Sequence, residues 1–170
     1  MTPNDPAGTE RRRLRLSVIG GSQAGQHLRE LAREVGRLIG ERGHVLVCGG
    51  HGGVMEAACQ GAKEAGGLTV GIIRTTNPHD ANRFVDIPIV TGMYDARNII
   101  VALSGEAIIV IGGALGTLSE IAFARLHQRA VIGLDPLATI PGLGVELLGV
   151  QVARTPREAV DLAEGHAIKG

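Results

Sequence analysis

The chain has 170 residues, 44% of them apolar, which is the size and composition of one domain with enough core to bury. Seventeen basic against 17 acidic residues give a formal net charge of 0, which argues against a dedicated duplex-DNA binder, and the abundant Leu, Ile and Val argue against disorder. Gly is the outlying residue at 26, yet it follows no three-residue period and stands beside only seven Pro, so a collagen-like chain is excluded and the glycines need a local cause.

In chain order, residues 1–13 read as a flexible polar tail and 14–170 as a single domain. Arg11, Arg12 and Arg13 form the one basic run, read as a solvated entry to the first strand. The tail lacks the apolar heart of a signal peptide, and no stretch approaches the roughly 18–20 apolar residues of a membrane span. A cytoplasmic protein without a membrane partner is expected.

Leu14 to Ile19 is a short apolar run, read as a buried strand, that stops at Gly20-Gly21-Ser22. Leu28, Leu31, Ala32, Val35, Leu38 and Ile39 fall on one helical face and predict a helix over 26–42, closed by Gly43. Val45 to Cys48 predicts a second strand running into Gly49-Gly50-His51-Gly52-Gly53. A helix marked by Val54, Met55, Ala58 and Ala62 follows and closes near Gly66-Gly67, and the strand Thr69 to Ile73 comes next.

Thr75 to Arg83 reads as a polar loop. Pro88 places the strand Val85 to Val90 at a sheet edge, because proline cannot donate to a ladder. A helix is predicted from Ala96 to Leu103. The most apolar strand, Ala107 to Ile111, ends in Gly112-Gly113-Ala114-Leu115-Gly116-Thr117, with a helix over 118–127 and the strand Ala130 to Leu134 after it. Thr155-Pro156-Arg157-Glu158 has the order of a helix cap, first-turn proline and capping-box glutamate, opening a last helix that ends at Gly165.

Strands that alternate with helices and read as unbroken apolar runs predict a single α/β domain: a doubly wound, mainly parallel sheet with helices on both faces. Ligands of such sheets bind at the carboxyl ends of the strands. Three glycine turns fall at that edge, holding nine of the 26 glycines, and they converge if their strands are neighbours. Glycine there lets a ligand approach backbone amides at a helix N-terminus, chemistry suited to phosphate. A tight turn with no ligand is the alternative for any one of them.

The familiar nucleotide motifs are absent. Gly20-Gly21-Ser22-Gln23-Ala24-Gly25 lacks the second glycine of GxGxxG, and no acidic residue ends the second strand. There is no GxxxxGK[ST] and no GxSxG elbow. Cys48 and Cys59 read as small buried hydrophobes, and the six His are scattered, so no metal site is expected.

Gly112-Gly113-Ala114-Leu115-Gly116-Thr117-Leu118-Ser119-Glu120 resembles the PGGxGTxxE motif of the LONELY GUY family, formerly called lysine decarboxylase-like. Cys48-Gly49-Gly50-His51-Gly52-Gly53-Val54-Met55 is similar to that family's GGGxxGLMG, and Gly20-Gly21-Ser22 to its first-strand turn. The resemblance runs from about Leu14 to Leu134. It implies a Rossmann-like fold, a homodimer or higher homo-oligomer, and cleavage of nucleoside 5′-monophosphates into base and ribose 5-phosphate, with no cofactor required.

Two departures, Gly112-Gly113-Ala114 for the family's Pro-Gly-Gly and Tyr94-Asp95-Ala96-Arg97-Asn98 for Met-His-x-Arg-Lys, look more like a sister branch. That branch includes the molybdenum cofactor carriers, noncatalytic binders of a pterin phosphate. The implied ligand is therefore a small phosphorylated molecule, either a nucleotide or the molybdenum cofactor, and a nucleic-acid partner is not expected. A distant likeness to the DNA-processing DprA type is less well supported by the charge balance.

By resemblance, Arg97 and Glu120 are the catalytic candidates, Glu120 to stabilise an oxocarbenium ion and Arg97 to clamp phosphate or assist the leaving base. Ligand and phosphate binding fall to Gly20, Gly21, Ser22, Gly49, Gly50, Gly53, Met55, Gly112, Gly113, Gly116 and Thr117. Each has a plainer alternative. Thr117 to Glu120 is also a capping box, which Gln would serve as well as Glu. Arg97 can face solvent or pair with Asp95, Ser22 can be a helix cap, and His51 a turn residue.

Overall fold

The computed structural model describes residues 12–134 and 149–169. Residues 1–11 of the expected tail lie outside them, while Arg12 is described and ion-pairs with Glu106 at 2.7 Å. Seven strands form one sheet: β1 (Arg15–Gly20), β2 (Val45–Cys48), β3 (Leu68–Ile73), β4 (Ile87–Val90), β5 (Ala107–Ile111), β6 (Ala130–Leu134) and β7 (Gln151–Ala153). Their order is β4-β3-β2-β1-β5-β6-β7, and every pairing is parallel. β1 therefore lies between β2 and β5, so the three glycine-turn strands are neighbours, as the convergence requires.

Strand alternation sends side chains to two cores. Leu16 and Val18 with Ala107, Ile109 and Ile111 pack under α1 (Gln26–Glu41), α2 (Val54–Glu64) and α5 (Pro156–Lys169). Ile19, Ile108 and Val110 pack under α3 (Asn98–Ser104) and α4 (Leu115–Leu126). Ser17 faces this second layer and is satisfied there, its hydroxyl donating to the Val101 carbonyl of α3 at 2.7 Å. Cys48 and Cys59 lie wholly inside the first core with their thiols free. No described helix is long and apolar enough to cross a membrane.

Four elements differ from the sequence expectation. The helix expected over 96–103 is a 3-10 turn, Tyr94–Arg97, continued by α3. α4 starts at Leu115, three residues early, because Gly113 in the left-handed region releases the chain into the helix at Ala114. α5 passes through Gly165 to Lys169, so that glycine sits within the helix instead of closing it. β7, only three residues long, follows the undescribed 135–148 and carries no periodic signal of its own.

Pro88 is in β4 at the sheet edge, as expected. The Thr155 cap is also present. Its hydroxyl accepts from the Glu158 amide at 3.1 Å, while the Glu158 carboxylate accepts from the Arg154 amide at 2.8 Å.

Candidate functional site

A cleft of about 350 Å³ opens at the carboxyl edge of the sheet. Gly20, Gly21 and Ser22 line it after β1, His51 and Met55 after β2, and Arg74 after β3. Ala114, Gly116, Thr117 and Glu120 enter from the first turns of α4, and Asp95, Arg97 and Asn98 from the 3-10 turn and α3. Eight of the residues proposed from sequence thus come together: Gly20, Gly21, Ser22, Met55, Arg97, Gly116, Thr117 and Glu120.

The other proposed glycines stand behind the cleft instead of lining it. Gly49 leaves room for the Arg97 guanidinium, which a Cβ there would meet at 2.8 Å, and Gly50 lies against Ile73. Gly53 has φ +64 and packs on the Gly21 and Ser22 backbone, so the second turn braces the first. Gly112 has φ +58. Gly113 has φ +146 and supports the Thr117 side chain, which an added Cβ would meet at 2.6 Å.

Arg97 is buried and does not face solvent. Asp95 pairs with Arg74 at 3.6 Å, leaving Arg97 to Asn98 and Glu120. The Arg97 guanidinium donates to Asn98 Oδ1 at 2.9 Å, and Asn98 Nδ2 donates to the Ser119 hydroxyl at 2.9 Å. Ser119 in turn donates to the Gly116 carbonyl at 2.6 Å. This chain of bonds fixes the arginine to the first turn of α4. Arg97 Nε is buried without a protein partner.

Glu120 stands 3.6 Å from Arg97, beyond hydrogen-bond reach, with both side chains about 8% exposed. Burial pushes the Glu120 carboxyl up to about 7, opposed only in part by Arg97. Burial likewise lowers the Arg97 guanidinium, although a guanidinium keeps its charge in a protein. Both shifts run against a strong ion pair, so desolvation dominates here.

The capping-box alternative for Glu120 is overturned. Thr117 lies inside α4, whose cap is Ala114, and no side chain caps that end. Ser22 caps nothing either, since α1 is capped at Gly25 with no side-chain bond. Glu56 in α2 is partly exposed, 3.8 Å from Arg29.

Sequence reasoning did not assign His51, Arg74, Asp95 or Asn98 to the site. Arg74 had a usable signal, since it is the residue directly after β3, at the edge where ligands bind. His51 Nε2 is buried without a protein partner, and burial together with Arg97 and Arg74 holds the imidazole below its usual range, hence neutral at pH 7.

A doubly wound parallel sheet with its cleft at a glycine-lined carboxyl edge makes this a Rossmann-like protein. The chain belongs to the SLOG cluster4 family, whose model matches residues 13–160.

Among solved structures it resembles the molybdenum cofactor binding protein of Rippkaea orientalis, at 41% identity and TM-score 0.83, covering 91% of this chain and 98% of that one. The molybdenum cofactor carrier protein of Chlamydomonas reinhardtii matches at 32% identity and TM-score 0.83, covering 94% and 100%. A cytokinin riboside 5′-monophosphate phosphoribohydrolase of Mycobacterium tuberculosis is 35% identical over 136 residues, 72% of this chain and 71% of its own.

Proposed function

We infer that the cleft binds a small phosphorylated heterocycle, and that the chain is a binding protein for a pterin phosphate of the molybdenum cofactor type. Arg97 carries this inference: a buried guanidinium, held in place by Asn98, with an unpartnered Nε and no carboxylate within hydrogen-bond distance. Such a cation stabilises the fold best when an anion joins it. Beside it the first turn of α4 offers free amides and the positive end of the helix dipole, with no side chain capping them. The pterin assignment is supported by near-complete coverage of the cofactor-binding relatives, against 71% of the phosphoribohydrolase.

Mass spectrometry of the ligand that copurifies with the chain tests this function. A pterin phosphate near one per chain is expected. If neither a pterin phosphate nor a nucleoside 5′-monophosphate binds, the cleft is not a phosphate-ester site.

One observation favours a second reading, N-glycosidic hydrolysis of a nucleoside 5′-monophosphate: Arg97 and Glu120 face the same cleft as a buried pair. A carboxyl near 7 holds a proton part of the time at neutral pH. The carboxyl gives that proton to the departing base as the N-glycosidic bond breaks, stabilises the cationic ribose as a carboxylate, and takes back a proton from the water that adds at the anomeric carbon. Release of free base from AMP or a cytokinin monophosphate, lost in Glu120→Gln, is the expected result under this reading. No release by the parent chain would leave binding as the only role.

A further inference from the structure

We propose that the rim of the cleft formed by Asp95, with Arg74 and His51, reads the 2-amino-4-oxopyrimidine edge common to pterins and guanine, and so selects those rings over adenine. The proposal rests on the phosphate-binding role inferred above. Strand order sets the two ends of the ligand. Gly116 and Thr117 follow β5, whereas Arg74 follows β3, three strands away, roughly 14 Å at about 4.8 Å per strand. A phosphate held at the α4 end therefore directs the ring of a mononucleotide-sized ligand toward Arg74 and Asp95.

The backbone at that end is fixed, and it presents the Asp95 side chain, 86% exposed, at the rim. Tyr94 has φ +49, a strained conformation for an aromatic residue, and its amide donates to the Arg74 carbonyl at 2.9 Å. The Arg74 guanidinium lies 5.6 Å over the Tyr94 ring and 3.6 Å from the Asp95 carboxylate. Among the described residues the Asp95 carboxylate accepts no hydrogen bond, and neither does His51 Nε2 have a partner. The Asp95 carboxylate is thus open to solvent at the rim with Arg74 as its one ion-pair partner, and the buried His51 Nε2 is unused by the protein.

Chemistry decides which ring fits. A carboxylate is acceptor-only, and its two oxygens match the adjacent ring N–H and 2-amino group that pterin and guanine present. Adenine offers an amino group beside a ring nitrogen lone pair, which a carboxylate repels. The neighbouring ring carbonyl of pterin or guanine calls for a donor, which Arg74 supplies, and a neutral imidazole supplies one as well. Rejection of a ring that leaves such groups unpaired is strong.

Equilibrium binding of GMP, AMP, guanosine, ribose 5-phosphate and a 6-substituted pterin phosphate to the full chain, freed of copurifying ligand, tests the proposal. GMP is expected to bind at least about tenfold tighter than AMP. Asp95→Asn, whose amide presents one donor and one acceptor, should bring the ratio to about one or reverse it without weakening ribose 5-phosphate, which has no ring edge to read. His51→Ala should weaken GMP with less effect on ribose 5-phosphate.

Pterin phosphate binding tighter than GMP identifies a pterin as the source of the edge, and the opposite order identifies a guanine nucleotide. Equal GMP and AMP affinities, or a GMP preference that survives Asp95→Asn, would overturn the proposal while ribose 5-phosphate binding still upheld the phosphate site. Guanosine binding as tightly as GMP, with no affinity for ribose 5-phosphate, would overturn the phosphate site itself.

Discussion

The Glu120 carboxyl lies 3.6 Å from the Arg97 guanidinium and is nevertheless pushed up to about 7, because desolvation outweighs an ion pair that lacks hydrogen-bond contact. In the unfolded chain the same carboxyl ionises near about 4.3. Between those two values the folded chain holds a proton that the unfolded chain has lost, so this group's contribution to stability falls as pH rises from about 4 to 7. Glu120→Gln removes that loss. Urea unfolding should find the variant about as stable as the parent at pH 4.5 and more stable at pH 8, by roughly 3 kcal/mol. A difference that does not change with pH would mean that Glu120 ionises freely in the fold.

For Arg97→Ala, affinity for 5′-monophosphates should drop at least about tenfold while the corresponding nucleosides change little, the difference expected from losing one charge-assisted contact. Equal losses for both, measured by calorimetry, would mean that Arg97 does not meet the phosphate.

At the scale of elements, two further glycines serve packing and not the cleft. Gly36 of α1 lies on the Ala58 backbone of α2, and Gly61 of α2 lies on the Arg33 backbone of α1, so a Cβ at either would overlap the partner helix. On a free helix Gly→Ala gains about 1 kcal/mol, whereas overpacking a close crossing costs roughly 1–3 kcal/mol. Gly61→Ala should therefore destabilise, and a gain in stability would mean that the helices can move apart at little cost. Thr155→Ala should lower stability by about 1 kcal/mol through loss of the α5 cap, readable in the same unfolding experiment.

Across the whole molecule the cleft draws on turns from four adjacent strands, β3, β2, β1 and β5, so a ligand seated there ties the centre of the sheet together. Ligand at about 100 times its dissociation constant should add about 2.7 kcal/mol to stability, seen as a rise in thermal midpoint with ligand concentration. No rise with a pterin phosphate or a nucleotide would place binding elsewhere.

The strands were legible because buried parallel strands are continuous apolar runs: Ala107–Ile111 and Ala130–Leu134 have the bounds expected from sequence. β7 was not, since three residues with Gln151 and Val152 exposed hold no pattern. The Thr155 cap and the false one at Thr117 have the same spacing; the left-handed Gly112 and Gly113, after which α4 starts early, set them apart.

Sequence by itself determined the order of the elements other than β7 and the three glycine turns, because periodicity and turn chemistry are local; Arg97 and Glu120 became candidates through the resemblance of their motifs to a known family. Tertiary structure alone decided that β2, β1 and β5 are neighbours, that Gly49, Gly50 and Gly53 brace the cleft from behind, and that His51 and Asp95 join it. It also decided the charge of Glu120, since desolvation depends on what distant segments pack around a group.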